Sequence, residues 1–103
     1  MAQFDVYRNP TPASKYVPYL LDVQSDLLGG IDTRVVVPLF HAKAFGPVSQ
    51  RLNPTFDIEG NSVVMSTAEL AGVLPLALGK KIGSLADRRD EIRDALDFVF
   101  QGF

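Results

Sequence analysis

The run RVVVPLF at 34–40 is the feature that most limits what this chain can become. Its apolar side chains occupy both parities of a strand, so neither face can be turned to water. Such a strand belongs in the middle of a sheet, covered on both sides. Other segments supply its neighbours. QFDVY at 3–7 alternates Phe4 and Val6 with Gln3, Asp5 and Tyr7, which predicts a half-buried strand. YVPYLLDVQS sets Tyr19, Leu21 and Val23 on one face, with Pro18 marking the strand's start or an edge. TFDIEGNSVVMS reads as a hairpin. Phe56 and Ile58 alternate with polar residues, Gly60-Asn61 make the turn, and Val63 and Met65 return.

The rest punctuates these strands. RNPTPASK is a loop, and DLLGGIDT is a turn built on Gly29 and Gly30. HAKAFGPVSQRLNP is irregular, broken at Gly46-Pro47. TAELAGV reads as one helical turn closed by Gly72, and LPLALGKKIG as a short extended segment and a turn.

Only the end of the chain has a helical period. Ser84 is the expected N-cap, with Asp87 completing a capping box. At about 100° per residue, Leu85, Ile92, Ala95, Leu96, Val99, Phe100 and Phe103 share one apolar face. Asp87, Asp90, Glu91, Asp94 and Asp97 lie opposite, and Arg88, Arg89 and Arg93 flank the stripe with their stems over it. The fold class is therefore mainly β (α+β): a small bent antiparallel sheet of about five strands, then one C-terminal helix.

At 103 residues the chain makes a single domain, residues 1–103, and 47 % hydrophobic residues are enough for one modest core. A net charge of −2 argues against a protein whose main partner is a phosphate backbone. With no cysteine there is no disulfide and no thiolate metal site. The start has neither a basic n-region nor an apolar h-region, and no apolar run approaches the roughly 20 residues of a membrane span. The expected compartment is the cytoplasm.

No catalytic constellation emerges, and no cofactor or metal is called for. His41 is the only histidine, and Phe40, Ala42 and Lys43 give it no partner for acid–base work. The helical carboxylates are the solvated face of an amphipathic helix, since a regular helix cannot wrap one cation in oxygens. Asp94 and Asp97 nevertheless lie near the helix C-terminus, where the macrodipole disfavours negative charge. An Arg93–Asp97 pair offsets part of this, and a basic partner surface accounts for the rest. In the final stretch, DALDFVFQGF, Phe100 and Phe103 continue the apolar stripe, so Phe100 is expected to close the core. Phe98 falls on the polar face, as a partner contact would.

These segments resemble the CcdB family, toxins of toxin–antitoxin pairs that poison bacterial DNA gyrase. The likeness runs nearly end to end: QFDVY, LDVQSDLL at 21–28, RVVVPL at 34–39, the hairpin after Pro54, and RRDEIRDALDFVFQGF. It implies an SH3-like barrel, a two-fold homodimer, and gyrase contact through the chain end. By position the gyrase-binding residues would be Leu27, Leu28, Phe100, Gln101, Gly102 and Phe103. It also implies the gyrase A subunit and a CcdA-like antitoxin as partners, with operator DNA bound only through the antitoxin. Gln101 departs from the pattern. The family's well-studied member has a tryptophan there, stacked on a cationic gyrase side chain. An amide offers hydrogen bonds but no aromatic face.

Two other readings follow. A chain lacking that tryptophan suits a non-toxic homologue retained for binding antitoxin. The same barrel also hosts ribonuclease toxins of the MazF and Kid type, which need a basic groove and an acid–base pair.

Overall fold

The computed structural model describes residues 1–102. Seven strands and one helix follow in order: β1 Asp5–Arg8, β2 Tyr19–Asp22, β3 Arg34–His41, β4 Thr55–Ile58, β5 Asn61–Met65, β6 Ala71–Val73, β7 Lys81–Ser84, and α1 Arg89–Gln101. All pairings are antiparallel, and the sheet order is β4-β5-β3-β2-β1-β7. The eight-residue β3 holds the centre, as its composition requires. One edge pairs with β2, from Tyr19↔Leu39 to Asp22↔Val36. The other edge is shared: β5 takes its C-terminal half at Leu39↔Met65, and β6 takes its N-terminal half at Arg34↔Val73. One strand serving three neighbours curls the sheet into a half-barrel. Helix α1 closes it, with Ile92 and Ala95 fully buried beside Leu21, Val37 and Leu39.

The fold class is the expected one, with two short strands more than sequence periodicity gave. TAELAGV keeps its helical turn at Thr67–Glu69, but Ala71–Val73 then pair with β3. LPLALGKKIG ends in β7, which pairs with β1. Strands of three and four residues are too short to show a period.

Ser84 does not cap the helix. It remains in β7 opposite Asp5, and Leu85 N–H donates to the Phe4 carbonyl at 2.8 Å. The chain must stay extended to complete this pairing. The Ser84 hydroxyl instead accepts from Ala86 N–H at 3.1 Å, at the start of a 3₁₀ turn, Ala86–Arg88, and α1 begins at Arg89 without a side-chain cap.

The hairpin turn sits one residue earlier than expected. Asn61 already pairs with Ile58, so Glu59 and Gly60 form the turn, with φ of 54° and 80°. A two-residue turn of this kind requires positive φ at both positions. Glycine adopts it freely, whereas Glu59 is held there by its side chain. Arg8 Nη2 donates to it at 2.6 Å and the Tyr19 hydroxyl at 2.8 Å. The Tyr19 hydroxyl bond above all, and then the Arg8 bond, hold the Glu59 carboxyl below its usual range.

The alternation in QFDVY does not separate core from solvent. Asp5 and Tyr7 are buried as well as Phe4 and Val6, because the sheet's second face is covered too. That face holds a polar cluster. Arg34 Nε donates to Asp22 Oδ2 at 2.8 Å, and Gln24 N–H donates to Asp22 Oδ1 at 3.0 Å. Arg34 Nη2 lies 2.7 Å from the same Oδ2, but at an angle that leaves it without a hydrogen bond of its own. Burial raises the Asp22 carboxyl above its ordinary range despite the guanidinium. Burial, with the Asp5 and Asp22 charges, pushes the Tyr7 phenol up to about 12.

Candidate partner-binding site

Of the six residues singled out from sequence, the five that the structure describes fall on two exposed features. Leu27 and Leu28 sit on a single 3₁₀ turn, Asp26–Leu28, between β2 and β3. Ser25 Oγ accepts from Leu27 N–H at 3.2 Å, and Gln24 Nε2 donates to the Leu28 carbonyl at 3.0 Å. With its backbone fixed in this way, the turn leaves Leu27 95 % exposed. Ile31, which sequence reasoning passed over, is also exposed just beyond it.

The second feature is the end of α1. Gly102 adopts φ 75° and donates its N–H to the Phe98 carbonyl at 2.9 Å, closing the helix in a left-handed cap. A side chain would be strained at that φ, so the glycine is needed to turn the chain. Gln101 and Gly102 are exposed, while Phe103 lies outside the described residues. Phe100 does not close the core. It is 71 % exposed, whereas the helix buries Ile92 and Ala95 and half-buries Leu96, Phe98 and Val99. The buried stripe is thus rotated toward Phe98 at the end of the helix.

Arg51, in the loop before β4, meets the helix on that side. Its guanidinium forks onto Asp94, with Nε to Oδ2 at 3.0 Å and Nη2 to Oδ1 at 3.2 Å, and lies 4.8 Å from the Phe98 ring centroid. Phe98 therefore has a partner within the chain, and Asp94 a counter-charge that no sequence spacing revealed. Glu91 is similarly engaged. Arg88 Nη2 donates to it at 2.8 Å, which holds its carboxyl below the usual range. The expected Arg93–Asp97 pair is not among the ion pairs of the described residues, and Arg93 instead stands 5.6 Å from the Phe4 ring centroid. Of the five acids on the polar face, Asp87, Asp90 and Asp97 are absent from the ion pairs of the described residues.

Both exposed features are fastened to the same N-terminal segment. Gln3 N–H donates to Asp26 Oδ1 at 2.8 Å, tying down the leucine turn. Phe4 follows, buried, with a φ of 74° that bulky residues rarely adopt. Its N–H donates to the Asp22 carbonyl at 2.6 Å, and Arg93 of α1 covers its ring. Phe100 projects from nearly the same helical face as Arg93, about 10 Å further along at 1.5 Å rise per residue. The arrangement offers apolar anchors and acids to a partner. Among the described residues no group of three or more histidine, cysteine, aspartate or glutamate side chains could hold a metal ion. Among the described residues no helix is long and apolar enough to cross a membrane.

A half-barrel of this topology, with a C-terminal helix, is a fold shared with solved structures. An endoribonuclease from a mycobacterial species, solved with its cognate antitoxin, superposes with a TM-score of 0.73 at 13 % identity, covering 97 % of this chain and 94 % of its own. The Mycobacterium tuberculosis toxin MazF-mt6 superposes at 0.71 with 15 % identity, covering 93 % and 95 % respectively. At such identities the likeness is one of fold. The sequence decides the family: the model described as CcdB protein matches residues 3–102, and the chain belongs to the CcdB family. It is by that membership a toxin of the toxin–antitoxin class.

Proposed function

We propose that this chain binds the A subunit of DNA gyrase and holds the enzyme in its cleaved-DNA state. The observation that carries the reading is the helix tip of a CcdB-family chain, left exposed and turned by Gly102 rather than folded into the core. Phe100 and Leu27 would anchor the contact, with Leu28, Gln101, Gly102 and Phe103 around them and Asp97 facing basic gyrase surface. Two copies related by a two-fold axis would present two tips to a two-fold gyrase. A cognate antitoxin would neutralise the toxin and, with it, repress the operon; the mycobacterial fold neighbour was itself solved with its antitoxin. The work is done by binding, in the cytoplasm, without catalysis.

The test is a gyrase supercoiling and DNA-cleavage assay with the full chain and with a chain ending at Phe100. The full chain should trap cleaved DNA. The shortened chain should fold, bind antitoxin and leave gyrase alone. A full chain that binds antitoxin but does not affect gyrase is the non-toxic homologue. RNA cleavage by the purified protein would instead support a ribonuclease reading, the activity named for one of the fold neighbours.

A further inference from the structure

A cavity of about 640 Å³ opens where the β1–β2 loop, the end of β3 and the β4–β5 turn meet. It shares no residue with the helix tip or the leucine turn. Lys15, Tyr16, His41, Lys43, Asn61 and Ser62 give it its chemistry. No carboxylate lines it among the described residues, although the chain as a whole is acidic. The acid nearest in sequence, Glu59, is taken up by Arg8 and the Tyr19 hydroxyl.

The walls are built rather than incidental. Asn9 braces the β1–β2 loop, accepting from Thr11 N–H at 3.1 Å and donating to the Val17 carbonyl at 2.9 Å. His41 N–H donates to the Tyr16 carbonyl at 2.8 Å, so histidine and tyrosine are fixed side by side. The Lys15 ammonium stands 5.0 Å from the Tyr16 ring centroid. The turn carrying Lys43 is closed by an edge-to-face contact of Phe40 and Phe45, with centroids 5.5 Å apart. Asn61 Nδ2 donates to the Tyr19 hydroxyl at 3.0 Å, which holds the third wall.

We infer that this cavity binds a nucleotide unit, its phosphate between Lys15, Lys43 and His41 and its base against Tyr16. The volume falls in the range of small-ligand sites, where a mainly apolar lining carries a few placed polar groups. An aromatic ring flanked by cations is the pattern that receives bases and phosphates of single strands. The ligand could be a free mononucleotide or one residue of a single-stranded RNA, and no bond is broken.

The test is a titration of the isotope-labelled protein followed by NMR. The probes are uridine and adenosine 5′-monophosphates, a six-nucleotide single-stranded RNA, inorganic phosphate, and an oligoglutamate peptide. Nucleotide should move the resonances of Tyr16, His41, Lys43 and Asn61. Lys43→Glu or Tyr16→Ser should weaken binding about tenfold or more while the remaining spectrum stays unchanged. Binding of the hexamer alone identifies the source as an RNA chain, and binding of monophosphates also identifies it as free nucleotide. Phosphate binding as tightly as nucleotide removes the base from the proposal and overturns it. Preferential binding of oligoglutamate at the same residues overturns it in favour of an acidic protein partner. No shift with any probe overturns it outright.

Discussion

The guanidinium of Arg51 lies 4.8 Å from the ring centroid of Phe98 while both of its hydrogen-bonding arms reach Asp94. One loop side chain thereby joins the last turns of α1 to the loop before β4, on the side of the helix away from Phe100. Exposed ion pairs of this kind contribute about 0.2–1 kcal/mol, and an exposed cation–π contact about 0.5–1 kcal/mol. Arg51→Ala should therefore lower unfolding stability by about 1 kcal/mol in urea titrations. In a double-mutant cycle Arg51 should couple to both Asp94→Ala and Phe98→Ala. The variant should also weaken any partner contact made by the tip. Purely additive losses would show that the three side chains act independently.

Gly79 packs against the chain of Arg8. A Cβ at position 79 would stand 2.7 Å from the Arg8 carbonyl oxygen and 3.1 Å from the Arg8 Cβ. Gly79 N–H also donates to that carbonyl at 2.8 Å, so neither strand end can retreat without losing the bond. Gly79→Ala should destabilise by about 1–3 kcal/mol. Gly72→Ala is the control, because nothing lies within 4 Å of its Cβ position. Equal midpoints for the two variants would contradict the steric account.

The Asp22–Arg34 pair is buried, with side-chain exposures of 0 % and 5 %. Removing one charge strands the other, which typically costs about 3–5 kcal/mol. Asp22→Asn should lose that amount, since Arg34 already has an Nη2 without a hydrogen bond. Asp22→Leu combined with Arg34→Met should recover most of the loss. Chemical denaturation of the three variants decides it, and a double variant no better than Asp22→Asn would assign the pair a positive role in specifying the fold.

Glu59 provides a titratable lock on the hairpin. Its folded carboxyl lies below the ordinary value of 4.5, so the unfolded chain binds the proton more readily. Stability from this group is present above that unfolded value and is lost as pH falls through the folded one. The stability difference between the parent and Glu59→Gln should be visible at neutral pH and shrink toward zero in acid. A difference that stays constant with pH would show that turn conformation, not charge, is what Glu59 contributes.

What was legible in the sequence depended on how many residues shared a signal. Arg34–His41 and the body of the helix each carry a composition or period over several residues, and both stand where expected. β6 and β7 are too short for any period, and their pairing with β3 and β1 is long-range. Ser84 had the right spacing for a cap, but the sheet needed its backbone. Phe98 and Phe100 exchanged the expected roles, and the partner that Phe98 meets, Arg51, lies 47 residues earlier, where no helical period could show it. The exposed leucines at 27 and 28 were found through family likeness. Ile31, Leu74 and Leu76 are exposed as well and carried no such flag.

Gln101, the exposed last residue of α1 beside the Gly102 cap, stands where the resemblance to the family leads one to expect a tryptophan. An amide there can hydrogen-bond an arginine but offers it no ring to stack on, a contact of about 0.5–2 kcal/mol. The substitution Gln101→Trp touches no buried side chain, so the fold should tolerate it within about 0.5 kcal/mol. If the tip binds gyrase, the variant should trap cleaved DNA at about 2- to 30-fold lower concentration, which is that free energy expressed as affinity. Cleavage titrations of the two proteins side by side measure the shift. Equal potency, with both proteins active, would mean that Phe100, Leu27 and the chain end already supply the anchor. Potency gained only by the tryptophan variant would mark the parent as a toxin that lost its grip at this one position.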